Sequence, residues 1–214
     1  MDSAVPPLNL WLVRHGQSTA NAGRPATASH AEIALTELGQ RQAMAVAQQV
    51  DCCPALVIVS PFLRARDTAA PLLARYPEAH HEIWPIGELS YLSAAHSVNT
   101  TSATRRPWVE RYWKLGDPEY VDGAGAESFA MFIERLKAFE QRLRALEVDG
   151  LVVAVGHGQF FRAFTLGLAQ GFDATPAWMR QFRSYEMAQP LRNGEILKLR
   201  LKRVPVSAPE IDMP

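Results

Sequence analysis

Residues 10–21 read LWLVRHGQSTAN, and residues 151–158 read LVVAVGHG. Each is a run of apolar, strand-forming residues that stops at a histidine followed by glycine. Unbroken apolar runs of this kind suit strands buried on both faces, the condition of strands inside a parallel sheet. A polar pair at the end of such a strand lies where the chain leaves the sheet, and open α/β sheets bind ligands beyond the carboxyl ends of their strands. Two strands ending in the same pair predict one site fed from both.

Working outward, the pattern keeps alternating between strand and helix. Thr36 to Val50 is helix-forming with Thr36 as N-cap. Ala55 to Pro61 is a second buried strand, β-branched and halted by Ser60-Pro61. A helix over residues 63–73 follows, then a third strand from His81 to Glu88. Ser128 to Leu146 is the strongest helix, with Ser128 as N-cap and Phe129, Phe132, Ile133, Leu136, Phe139, Leu143 and Leu146 on one face. Leu151 to Val155 is a fourth strand, followed by a helix over 160–168. Asn193-Gly194 reads as a hairpin-type turn before the alternating strand EILKLRLK.

This order predicts an α/β fold, a three-layer sandwich around a mainly parallel sheet with helices on both faces. Residues 89–127 break the rhythm. They hold a polar stretch, an aromatic patch (WVERYW) and a glycine-rich run, and read as a cap insertion over the site within a single domain spanning 1–214. The proline-rich end, 205–214, reads as a flexible tail.

Composition narrows the class. The chain has 214 residues, 48% hydrophobic and 21% charged, with zero formal net charge. These are values of a globular domain, and the balance argues against nucleic-acid binding driven by a basic field. The only cysteines, Cys52 and Cys53, are adjacent, which suits neither a disulfide nor a zinc site. No signal-peptide pattern and no apolar window of membrane-spanning length is present, so a cytoplasmic location without membrane contact is expected.

Arg14, His15, Arg64, Glu88 and His157 all fall just after predicted strands. Two arginines beside two histidines make a cationic pocket of donors suited to a tetrahedral oxyanion such as a phosphoryl group. The glycines after each histidine let backbone amides approach it. A neutral imidazole is a competent nucleophile, and Glu88 can protonate a departing alkoxide. Phosphoryl transfer asks mainly for such positioning and charge stabilisation. Neither metal nor cofactor is expected.

Together these segments resemble the histidine phosphatase superfamily, in its phosphoglycerate mutase-like branch. LVRHGQSTAN (12–21) is similar to its first signature. LTELGQRQA (35–43), SPFLRARDTA (60–69), GAESF (125–129) and VVAVGHGQFFRA (152–163) are similar to four more, in the family's order. The resemblance implies that His15 is a nucleophile forming a phosphohistidine. It implies that Arg14, Arg64 and His157 hold phosphoryl oxygens, that Asn21 is a further phosphate contact, and that Gln17 and Ser18 line the pocket. Glu88 becomes the proton donor, although GELSYLSAAH lacks the tryptophan-centred motif that many relatives carry there; Glu127 is the reserve, which the family places behind the site. Arg105 and Arg106 are substrate-binding candidates, like the basic pair that grips a substrate carboxylate in mutases.

The expected function is hydrolysis of a small phosphorylated metabolite through a phosphohistidine. Two alternatives stand beside it: a phosphoglycerate mutase, and an inactive phospho-ligand-binding protein. Substrate identity and oligomeric state are not legible.

Overall fold

A computed structural model of the chain describes residues 6–25 and 29–203. Five strands form one sheet in the order β3-β2-β4-β1-β5: β1 (Leu8–Arg14), β2 (Leu56–Val59), β3 (His81–Ile83), β4 (Leu151–Gly156) and β5 (Ile196–Leu201). The first four run parallel, and β5 lies antiparallel against β1. The expected tail at 205–214 falls outside the described residues.

Side chains alternate across the sheet with the two-residue period of a strand. Leu8, Leu10 and Leu12 of β1, Leu56 and Ile58 of β2, and Val152 and Ala154 of β4 enter one core. Trp11 and Val13, Val57 and Val59, and Leu151, Val153 and Val155 enter the other. The smaller core is closed by α1 (Glu37–Gln49) and α2 (Leu63–Arg75) through residues such as Val46, Ala47, Ala65 and Leu72. The larger is closed by three helices further along the chain. These are α5 (Phe129–Arg144), α6 (Gly158–Gln170) and α7 (Pro176–Ala188), with Phe132, Phe160, Phe164 and Phe182 among the residues between them. The three-layer expectation holds.

Caps act as the sequence predicts. The Thr36 hydroxyl accepts from Gly39 N and the Ser128 hydroxyl from Met131 N. Three expectations are corrected. The third strand ends at Ile83, not Glu88: Trp84 N–H still reaches Val59 O, but Pro85 has no donor with which to continue. The Asn193-Gly194 turn makes no hairpin, because an irregular segment precedes it and β5 pairs with β1. And α7 was not expected, although Thr175 and Pro176 form an ordinary helix entry in which the Thr175 hydroxyl accepts from Trp178 N.

Residues 89–127 hold two helices, α3 (Ala94–Ser97) and α4 (Arg106–Leu115), the latter closed by Gly116 in the left-handed region at φ 61°. Tyr91 stacks on Tyr112 at 4.4 Å between ring centroids. Trp113 meets Phe129 and Phe182 of the main core, so aromatic contacts fasten this segment to α5 and α7. No helix among the described residues is long and apolar enough to cross a membrane.

Candidate active site

The carboxyl ends of β1, β2 and β4 lie side by side, with Val13 in register with Val155 and Val59 in register with Val155 from the other side. The residues that leave these ends therefore meet. His15, Arg64 and His157 are each at most 3% exposed.

Their hydrogen bonds set the tautomers. His15 Nδ1 lies 2.7 Å from Gly16 O, a carbonyl that can only accept, so Nδ1 carries the proton. Its Nε2 is then a lone pair, and accepts from Arg64 Nε at 3.1 Å. His157 is the reverse: Nδ1 accepts from Arg64 Nη2 at 3.3 Å, and Nε2–H donates to Ser60 Oγ at 2.7 Å. Arg64 spends its remaining amino group on His30 O at 2.7 Å and stacks over the Phe62 ring.

Burial holds both imidazoles well below the ordinary histidine value, and the Arg64 charge adds to the effect. Both are neutral at neutral pH. The same burial lowers Arg64 to about 10, which leaves it cationic.

Arg14 reaches the loop after α7, where Nη1 donates to Leu191 O. Gly158 gives it room: a Cβ there would sit 3.2 Å from Arg14 Cδ. Asn193, in the turn before β5, donates to His15 O at 3.0 Å and to Asn21 Oδ1 at 3.2 Å. Asn21 Oδ1 also accepts from Ser18 N and Ser18 Oγ. Its carbonyl oxygen is thus engaged three times over, and Asn21 lines the cavity.

Glu88 is half-buried, and its carboxylate caps α6. It accepts from Phe160 N at 3.2 Å and Gln159 N at 3.4 Å, taking the role that a side chain at His157 does not fill. Burial raises its pKa, against the lowering pull of Arg14 and Arg64. Glu127 is elsewhere engaged. It forms a two-pronged ion pair with Arg135, at 2.7 and 2.9 Å, and Arg135 in turn donates to Pro85 O and Gly87 O. The reserve acid thus braces the segment that presents Glu88.

A cavity of about 480 Å³ adjoins this floor, walled by Arg14, Asn21, His30, Glu88, Gly158 and Gln159 on the near side and by residues of 89–105 beyond. Arg105 is on that wall. Arg106 is not: it faces solvent and pairs with Glu110 one turn along α4 at 2.6 Å. Gln17 and Ser18 do not line it either. The Gln17 amide oxygen accepts from Thr36 Oγ1 and its backbone bonds Gln42 and Thr36, while Ser18 is buried and holds Asn21. The sequence reading passed over His30, Ser60 and Asn193. The first two stood within or near a recognised segment, but Asn193 carried only a turn signal.

Among the described residues no cluster of three or more His, Cys, Asp or Glu side chains could hold a metal ion. What the floor offers is a neutral imidazole lone pair, two guanidinium groups and a nearby carboxyl, the equipment of phosphoryl chemistry on a doubly covered α/β sheet. Residues 10–189 match the model of the histidine phosphatase superfamily (branch 1), and the chain belongs to that family.

Solved structures share the fold at low identity. A mycobacterial hydrolase is 23% identical, with TM-score 0.70 and coverage of 94% of this chain and 92% of that one. The alpha-ribazole phosphatase of Shigella flexneri is 21% identical, with TM-score 0.68 and coverage of 89% of each chain. A mycobacterial glucosyl-3-phosphoglycerate phosphatase is 23% identical, with TM-score 0.66 and coverage of 89% of each. No curated protein matches the chain.

Proposed function

We propose that this protein is a phosphomonoester hydrolase that works through a phosphohistidine on a small phosphorylated metabolite. The observation that carries the reading is the tautomer of His15: with Nδ1–H fixed on Gly16 O, Nε2 keeps the lone pair, which here accepts from Arg64 Nε and which an incoming phosphoryl group would take over. In this reading Nε2 attacks the phosphoryl group and the ester P–O bond breaks. Arg14, Arg64, His157 and the Asn21 amide take up the charge on the phosphoryl oxygens. Glu88, whose pKa burial raises, gives its proton to the departing alkoxide. The resulting carboxylate then draws a proton from water, whose oxygen attacks phosphorus, breaks the P–Nε2 bond and releases inorganic phosphate.

Arg105 is the residue of the basic pair retained as a substrate contact. A mutase reading is weaker, because Arg106 is bound to Glu110 and no two-arginine grip on a carboxylate is formed. The binding-only reading lacks any lost nucleophile or lost arginine to support it. Two exposed free thiols, Cys52 and Cys53, favour a reducing compartment, and the cytoplasm is the proposed location. Residues 89–127 act as the cap that closes the cavity on its far side.

The test is phosphate release from a panel of phosphomonoesters that includes 3-phosphoglycerate, with wild type and His15→Ala. Release by wild type alone, with an acid-labile phosphoenzyme, supports the hydrolase. Isomerised phosphoglycerate without phosphate release replaces it with a mutase, and neither product supports a binding protein.

A further inference from the structure

The cavity is far larger than a phosphoryl group requires. About 480 Å³ falls in the range of sites for drug-sized ligands, and a two- or three-carbon alcohol would leave most of it to water. Ile33, Leu89, Leu92, Val98 and Leu191 supply apolar wall, and the Tyr91 ring, stacked on Tyr112, adds a flat face.

Several polar groups on the same wall are committed to the protein itself. Ser90 Oγ donates to Glu88 O at 3.2 Å, and Ser97 Oγ donates to Ser93 O at 2.8 Å. The Glu186 carboxylate is paired with Arg183 at 3.0 Å. A polyhydroxylated alcohol placed here would have to share these groups with their present partners or turn to Arg105 and Gln159, and buried hydroxyls left unpaired are costly. An apolar body meets no such penalty and releases water from Leu92, Val98 and Tyr91.

We infer that the alcohol portion of the substrate is large and mainly apolar, so that the site selects phosphomonoesters of bulky ring- or chain-bearing alcohols over small or sugar-like ones. This rests on the phosphohydrolase reading and adds to it the chemical class of the leaving group.

The experiment compares kcat/KM for ethyl phosphate, 2-phenylethyl phosphate and glucose 6-phosphate, all esters of primary alcohols. The expected result is a preference of about tenfold or more for 2-phenylethyl phosphate over both others, expressed mainly in KM, the scale on which apolar pockets discriminate. Val98→Asp and, separately, Leu92→Asp should each collapse that ratio, while Val98→Leu keeps it. Glucose 6-phosphate equal to or better than 2-phenylethyl phosphate overturns the inference, as does a ratio that survives both aspartate variants. Turnover of all three at similar rates sinks the leaving-group class and leaves the hydrolase reading intact. Release from none of them sinks the hydrolase reading, and the class with it.

Discussion

The bond from His15 Nδ1 to Gly16 O does work that no distant residue could do, because it decides which nitrogen keeps its lone pair. His157 is oriented by a different device, the Ser60 hydroxyl, itself fully buried. In Ser60→Ala, Nε2–H loses its acceptor and the ring is no longer held with Nδ1 toward Arg64. KM for phosphomonoesters should rise about tenfold with a smaller change in kcat, on the scale of one buried hydrogen bond. Glu88→Gln should lower kcat for alkyl phosphates by about 10²- to 10⁴-fold, the usual contribution of a general acid. The loss should shrink for p-nitrophenyl phosphate, whose leaving group departs without a proton. Because the carboxyl pKa is raised, wild-type turnover should fall as pH climbs through the Glu88 value, and the glutamine variant should lack that limb. An equal loss for both substrates would argue against Glu88 as the acid.

The histidines also set a pH dependence of stability. Unfolded, His15 and His157 take up protons near pH ~6.5, whereas the folded imidazoles resist protonation until well below that. The unfolded chain therefore binds more protons as pH drops through that value, and stability falls on the acid side. Urea midpoints measured from pH 7 down to 5 should decline, with a shallower slope in His157→Gln. At this scale the sequence was legible wherever a residue followed a strand. Arg14, His15, Arg64 and His157 could be grouped from the sequence because each stands at or shortly beyond the carboxyl end of a strand, whereas Glu88 was grouped with them through a third strand that in fact ends at Ile83. Asn193 was not, since its partners His15 and Asn21 lie more than 170 residues away in the chain.

Between elements, two close approaches set the site. Gly16 follows His15, and Gly39 opens α1. A Cβ on Gly39 would sit 2.1 Å from Gln17 O, and one on Gly16 would sit 2.4 Å from Gly39 O. Backbone meets backbone, so neither side can yield. Gly39→Ala should therefore push α1 off the loop that carries His15, lowering both thermal midpoint and kcat/KM; an unchanged kcat/KM in a folded variant would show that the loop is held without α1. The Glu127–Arg135 pair acts on the opposite flank. Arg135→Met strands a half-buried carboxylate and frees the Pro85 and Gly87 carbonyls, at a cost of about 3 kcal/mol. Denaturant unfolding checks the number, and the Glu88-dependent pH limb should move with it. Helices with a clear apolar stripe, such as α5, were legible from spacing alone. The α4 helix was not, because its aromatics are scattered among charges and Trp113 packs on a Phe129–Phe182 wall that α5 and α7 supply.

At the scale of the whole molecule, alternating strands and helices revealed the layers but not the strand order. Which strand neighbours β1 depends on pairings between segments that lie far apart in the chain, a property of topology that no local pattern encodes. Here β1 is flanked by β4 and β5, residues 151–156 and 196–201. Both partners lie far downstream of β1 in the chain. A polypeptide emerging from the ribosome carries Arg14 and His15, and can offer His15 the Arg64 side chain, well before β4 and β5 have been made. The Asn193 clasp and the Leu191 carbonyl come later than β4. Each molecule thus completes this floor only once β4 and the Leu191–Asn193 segment have been made, and a chain stopped short of them remains without it.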